Sequence, residues 1–210
     1  MTRRQPMKLM SVDQSLSHCA VVIFDDGVPV YREMIRTGSN NSKSKKNKDV
    51  IYFDNVHEQI RFIVGRILTL AEEHRIDKYV MEALSLSSIG SATRDLAGLF
   101  YCIVYGLYQS AILGYQAIHT VAPTSVKAYA RALLPESERT VVKEKVDKKT
   151  GKKVYSTGQV KMEKSHMVRA VDCDFPGWLD GMTLAAGKAD YADAYLIGKK
   201  FLEDISVGKE

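Results

Sequence analysis

A chain of 210 residues with 45% hydrophobic and 26% charged side chains has room for one well-buried domain with insertions and too little for two. Its longest apolar stretches, around residues 97–104 and 110–115, fall short of the roughly 18 residues of a membrane span, and no apolar signal core follows the basic start Met1-Thr-Arg-Arg-Gln-Pro, which argues against membrane insertion and secretion. The formal charge of +5 is unevenly spread: residues 43–49 set four lysines against one aspartate and residues 143–164 eight lysines against three acids, leaving a slightly acidic body.

Residues 8–12 form a short hydrophobic run that ends at Asp13, and residues 19–24 form a second. Asp25-Asp26-Gly27 then makes a hairpin turn into a third run at 30–35, so three antiparallel strands are expected in succession. Residues 37–49 are polar, lysine-rich and read as a loop. From 50 to 74 the apolar residues Val56, Ile60, Ile63, Val64, Ile67, Leu68 and Ala71 recur at helical spacing. A fourth strand at 78–81 ends at Glu82, and a long helix is expected over 91–113. A fifth strand at 116–121 follows, then a helix over 124–134 with Pro123 at its first turn. Residues 140–157 alternate and contain Lys149-Thr150-Gly151-Lys152, the pattern of an exposed basic β-hairpin. Helices are expected at 160–171 and 187–202, separated by an irregular 172–181 stretch.

This order describes an α/β fold: a mixed five-stranded sheet, three antiparallel strands then two parallel ones reached through crossover helices, with helices on both faces. The whole chain, 1–210, reads as one domain carrying a basic loop at 39–49 and an inserted basic ribbon at about 140–158. Three scattered cysteines, Cys19, Cys102 and Cys173, fit neither a disulfide framework nor a zinc site and point to a reducing cytoplasm.

The carboxylates carry the chemistry. Asp13 and Glu82 end two strands that should be parallel neighbours, at the sheet edge where open α/β folds place their sites. Two ionised acids side by side at the ends of buried strands repel, and a divalent cation resolves that repulsion. Asp190 and Asp193 are three apart on the last helix, on the face continued by Ile197 and Phe201 that should pack on the sheet. Ala186, Gly187, Ala189, Ala192 and Ala194 around them permit a close approach. Taken singly, each acid has a plainer reading: a helix cap, a turn former or a strand-end surface residue. Together, four carboxylates without a histidine or cysteine cluster favour Mg²⁺, with Mn²⁺ as a substitute. Two such ions about 3.5–4 Å apart clamp the attacking water and the leaving oxygen of a phosphodiester. The lysine segments agree, since clustered lysines bind polyanions by counterion release, although such runs also occur as solvated loops.

Several segments in order resemble the RuvC family of Holliday-junction resolvases in its bacteriophage form, a family with the RNase H-like fold: Ser11-Val12-Asp13-Gln14-Ser15-Leu16-Ser17, Val80-Met81-Glu82, Ser91-Ala92-Thr93-Arg94-Asp95-Leu96-Ala97-Gly98, Val121-Ala122-Pro123-Thr124-Ser125-Val126-Lys127, Lys161 through Met167-Val168, and Ala189-Asp190-Tyr191-Ala192-Asp193-Ala194. The resemblance implies a homodimeric endonuclease that nicks branched DNA symmetrically in the cytoplasm, or in the host cytoplasm if the chain is phage-encoded, using two metal ions per site and no nucleotide cofactor. It implies that Asp13, Glu82, Asp190 and Asp193 are the metal ligands. Lys161 falls where the family has a basic residue near the scissile phosphate, with Lys164 as the alternative one turn on. Lys43, Lys45, Lys46, Lys143, Lys145, Lys148, Lys149, Lys152, Lys153 and Lys164 are the expected DNA-binding lysines. Gln14 and Ser15 depart from the family, which usually has proline and glycine there. Ala83-Leu84-Ser85-Leu86 offers only leucines where bacterial members carry an aromatic residue. The long helix, apolar nearly all round with Phe100, Tyr101, Tyr105 and Tyr108, offers one side to a second subunit. Other readings of the same residues are an RNase H or exonuclease, a non-catalytic junction-binding protein, and an actin-like kinase fold. The last lacks a late glycine-rich nucleotide loop and is short by a domain.

Overall fold

The computed structural model describes residues 6–41, 46–84, 90–110, 112–146 and 153–208. Strands β1 (Lys8–Asp13), β2 (His18–Asp25) and β3 (Val28–Ser39) form an antiparallel meander, with Asp26 and Gly27 in the left-handed region at the first reversal. β4 (Ile51–Phe53) pairs parallel to the end of β3. After helix α1 (Val56–His74), β5 (Lys78–Glu82) inserts parallel to β1; after α2 (Ser91–Gln109), β6 (Ile118–Val121) pairs parallel to β5. The sheet order is β4-β3-β2-β1-β5-β6, which makes β1 an interior strand. The chain continues through α3 (Pro123–Leu133), the short α4 (Glu136–Arg139), a separate antiparallel ribbon of β7 (Thr140–Val146) and β8 (Lys153–Gln159), then α5 (Lys164–Asp174) and α6 (Lys188–Ser206).

The mixed α/β architecture agrees with the sequence expectation, but the sheet has six strands rather than five. The extra strand, Ile51–Phe53, is too short to show alternation of its own, and its apolar residues read as the first turn of the following helix. That helix begins at Val56, where the Asn55 side chain accepts from the Glu58 N–H. Likewise β3 runs on to Ser39 through residues expected to be a loop, because β4 supplies the ladder partner for Thr37, Gly38 and Ser39. α2 stops at Gln109 rather than 113, α5 starts at Lys164 rather than 160, and α6 extends to Ser206. In the stretch expected to be irregular, Trp178 packs on Tyr195, with ring centroids 5.0 Å apart, and lies under the Arg32 guanidinium. The Gly151 turn of the ribbon lies outside the described residues.

Strand parity divides the core into two layers. On β2, Cys19, Val21 and Ile23 face α1 and α2, while Ala20, Val22 and Phe24 face α3, α5 and α6. β1 and β5 follow the same rule, with Met10, Val12, Tyr79 and Met81 in the first layer and Leu9 and Val80 in the second. Two residues beyond Leu9 and Val80 along each strand, parity turns positions 11, 13 and 82 toward the α6 layer. No described helix is long and apolar enough to cross a membrane.

Candidate metal centre

The parallel register pairs Val12 with Met81, so Asp13 and Glu82 follow as opposite numbers at the carboxyl ends of adjacent strands. Parity aims both toward α6. That helix crosses the sheet unusually closely, because a Cβ added at Gly198 would stand 2.4 Å from the Phe24 ring and 2.9 Å from the Ser11 Cβ. Gly187, in the left-handed conformation with φ of 87°, starts the helix beside Met34, and the first turns carry Asp190 and Asp193. Carboxylate oxygens of Asp13, Asp190 and Asp193 all lie within 4.8 Å of one another. Glu82 is not one of that trio. It stands with Asp13 and Asp193 in the wall of a cleft of about 160 Å³, opposite Lys127 and Pro123 of α3 and Met167 of α5.

The electrostatics follow from this crowding. Burial, then the charges of Asp193, Glu82 and Asp190, push the Asp13 carboxyl well above the ordinary aspartate range. Burial and the same neighbours raise Asp193 to about 7, against the opposing pull of Lys164 and Lys127. Burial also raises Glu82, which Lys127 partly offsets. Lys164 donates from Nζ to Asp190 Oδ1 at 3.1 Å, and this bond holds its own proton more tightly. Four carboxylates thus face two ammonium groups in a partly desolvated cleft. An all-oxygen donor set with this surplus of negative charge suits hard divalent cations.

The four acids singled out from sequence are therefore brought to one place. Lys161 is exposed on the connection before α5, and it is Lys164, one turn further on, whose ammonium reaches the acids. Among the expected DNA-binding lysines, Lys46 is exposed, donates to Asn40 Oδ1 at 2.6 Å and lies over the Tyr52 ring. Lys153 is exposed and pairs with Glu144 across the ribbon at 2.8 Å. Lys143 and Lys145 lie on β7. Lys43, Lys45, Lys148, Lys149 and Lys152 lie outside the described residues, as do Ser85 and Leu86 of the segment after Glu82. His166 accepts from the Glu163 N–H at the start of α5 at 3.3 Å, and His18 is exposed at the start of β2. Sequence reasoning missed Lys127 in the cleft wall, although it closes the quoted Pro123–Lys127 segment. It also missed Gln14, whose carboxamide donates to the Glu82 carbonyl at 2.7 Å and accepts from the Glu82 N–H at 3.3 Å.

A sheet of this order, its interior strand ending in one acid and its last helix carrying two more, is the RNase H-like fold. Superposition relates the chain to Thermus thermophilus RuvC in complex with a Holliday junction substrate, with a TM-score of 0.60, 11% identity and 97% of each chain covered. A second structure of Thermus thermophilus RuvC superposes with the same score, covering 97% of this chain and 98% of that one. The yeast mitochondrial Holliday junction resolvase follows at 0.55 and 13% identity, with 97% of this chain and 82% of that one covered. These likenesses establish the fold end to end. No protein-family profile and no curated protein matches the sequence.

Proposed function

We propose that the chain is a metal-dependent endonuclease that resolves four-way and related branched DNA junctions. The observation that carries this reading is the convergence of Asp13, Glu82, Asp190 and Asp193 on one edge of a fold shared over its whole length with junction resolvases. Two Mg²⁺ ions held by these carboxylates would supply Lewis-acid stabilisation of the phosphodiester and an activated water. Asp13 and Glu82 hold the sheet side of the centre, and Asp190 and Asp193 the helix side. Lys164 neutralises Asp190 in the free protein and stands ready to turn to a scissile phosphate, and the exposed Lys161, three residues earlier in the chain, is a second candidate for that contact. Lys46, Lys153 and the other lysines of the two basic segments bind the arms through their phosphates.

A two-fold symmetric substrate suits two copies of this chain. On α2, Tyr101, Tyr105 and Tyr108 are each more than half exposed, at 64%, 65% and 54%, along one face. Beside them an apolar groove of about 670 Å³ runs between α1 and α2, lined by Ile60, Val64, Leu68 and Gly98. This face is the dimer seam of the reading.

The test is cleavage of synthetic four-way, flap and RNA–DNA hybrid substrates by the purified protein with Mg²⁺. Paired nicks in the four-way junction are expected. Cleavage of the hybrid with the junction left intact would favour an RNase H activity on the same scaffold.

A further inference from the structure

Among the described residues, the buried polar or charged side chains are Ser11, Gln14, Thr37 and Gln59, at 0%, 7%, 2% and 8% exposure. A polar group in a core is costly unless bonded, so the partners of these four show what they are there to hold. Ser11 donates from Oγ to the Ala194 carbonyl at 2.6 Å, joining β1 to α6 one residue past Asp193. Gln14 bonds both backbone groups of Glu82, adding a side-chain rung to the β1–β5 ladder where its main-chain rungs end. Gln59 donates from Nε2 to the Leu16 carbonyl at 2.6 Å and to Thr37 Oγ1 at 2.8 Å, and Thr37 Oγ1 donates to the same carbonyl. All four act on Asp13's own strand, on the loop that follows it, or on the backbone of another acid.

Apolar contact is non-directional, so it fixes the position of a helix along a sheet less sharply than a bond between two named atoms does. Under the first turns of α6, which carry Asp190 and Asp193, the buried contacts are Ala189, Tyr191, Ala192 and Ala194, with Leu196, Ile197 and Phe201 packing further along, so the acid-bearing turns have few knobs to resist sliding. A hydrogen bond does resist it. We propose that Ser11 and Gln14, which flank Asp13, are positioning residues that set the spacing of the four carboxylates for metal binding: Ser11 fixes α6 at Asp193, and Gln14 fixes β5 at Glu82. The inference rests on the metal-centre reading above and adds the residues that gauge it. It also gives a reason for glutamine at position 14, where a proline or glycine has no carboxamide to offer the Glu82 backbone.

The experiment is Mn²⁺ binding to the purified protein, read by electron paramagnetic resonance, with thermal melts of the same samples. The variants are Ser11→Ala, Gln14→Met and, as a control in the opposite core layer, Ile67→Val. Ser11→Ala and Gln14→Met are expected to weaken Mn²⁺ binding by about 10-fold or more, the scale seen when partners that orient metal ligands are removed. Metal-free junction binding should be unchanged in both. Ile67→Val should lower the melting temperature and leave Mn²⁺ affinity as it was. Undiminished Mn²⁺ affinity in both site variants, with melting temperatures lowered as in the control, overturns the inference and leaves the metal centre standing. A wild-type protein whose Mn²⁺ binding is no different from that of Asp13→Asn overturns both.

Discussion

Gly198→Ala places one methyl group where α6 meets the sheet, and two effects of opposite sign compete. In a helix interior the change from glycine to alanine is favourable by up to about 1 kcal/mol. Against it, the new carbon would sit 2.4 Å from Phe24 Cε2, 3.0 Å from Cζ and 2.9 Å from the Ser11 Cβ, whereas ordinary contact begins near 3.4 Å. Phe24 is fully buried and packs on Tyr195, so its ring has no empty space to enter, and the Ser11 Cβ is fixed by its strand. α6 must therefore lift by about 1 Å. Overpacking of this kind costs roughly 1–3 kcal/mol, and loss of the Ser11–Ala194 bond adds about 1 kcal/mol. The net is a destabilisation of roughly 1–3 kcal/mol, or about 2–12 °C in melting temperature for a chain of this size. Because Asp190 and Asp193 ride on the lifted helix, cleavage should fall by about 100-fold for a 1 Å displacement. The assay is calorimetric melting with parallel cleavage rates, and Gly65→Ala on α1 is the comparator. A Cβ at Gly65 would meet nothing within 4 Å, so that substitution should stabilise by its helical preference alone. If Gly198→Ala also stabilises and cuts at the wild-type rate, the close crossing of α6 does not position the acids.

Asp13→Asn or Glu82→Gln should abolish cleavage while preserving or tightening junction binding, measured by gel shift, because repulsion of the phosphates falls; binding lost together with cleavage would make these residues structural. The raised carboxyls fix the sign of a pH effect. Folded protein retains protons at Asp13 and Asp193 that the unfolded chain has released, so metal-free stability should fall as pH rises from about 4 to about 7, by roughly 2–4 kcal/mol for Asp193. Mg²⁺ should restore it at pH 7.5 and do little at pH 5, since the ligands must be deprotonated; melts that improve with pH and ignore Mg²⁺ would contradict this. Tyr105→Lys should yield a monomer by light scattering, with the fold intact by circular dichroism, and an unchanged dimer would place the seam elsewhere. Deleting residues 143–155 should flatten the dependence of junction affinity on salt by about one unit of log–log slope per lost phosphate contact, whereas an unaltered slope would leave the ribbon without a role in binding.

The acids were legible in the sequence because they stand at the ends of well-patterned elements. Leu9–Val12 and Tyr79–Met81 are buried on both faces, and long apolar runs that stop at a carboxylate announce both the strand and its edge. Asp190 and Asp193 were readable from their spacing and from the small residues around them. What escaped notice depends on distance along the chain. Ile51–Phe53 becomes a strand only through its pairing with β3. Lys127 acquires meaning only when α3 is laid against Glu82. Gln14 in isolation is an ordinary polar residue in a turn, and its two bonds are to a backbone 68 residues away. Gly198 in isolation reads as a weak point in a helix, and its value appears when Phe24 and Ser11 arrive opposite it.

The bond from Ser11 to Ala194 joins positions 183 residues apart. Synthesis proceeds at about 5–20 residues per second, so the first acid leaves the ribosome many seconds before the last two. Until then the strands bearing Asp13 and Glu82 have no helix to complete their cleft, and a truncated or half-made chain is without the full set. Contacts of such long range also form late, since the entropy of closing a large loop must be overcome first. Under the nuclease reading proposed above, this order would make cleavage competence the final product of folding and would give an unfinished copy no means of nicking the nucleic acid around it.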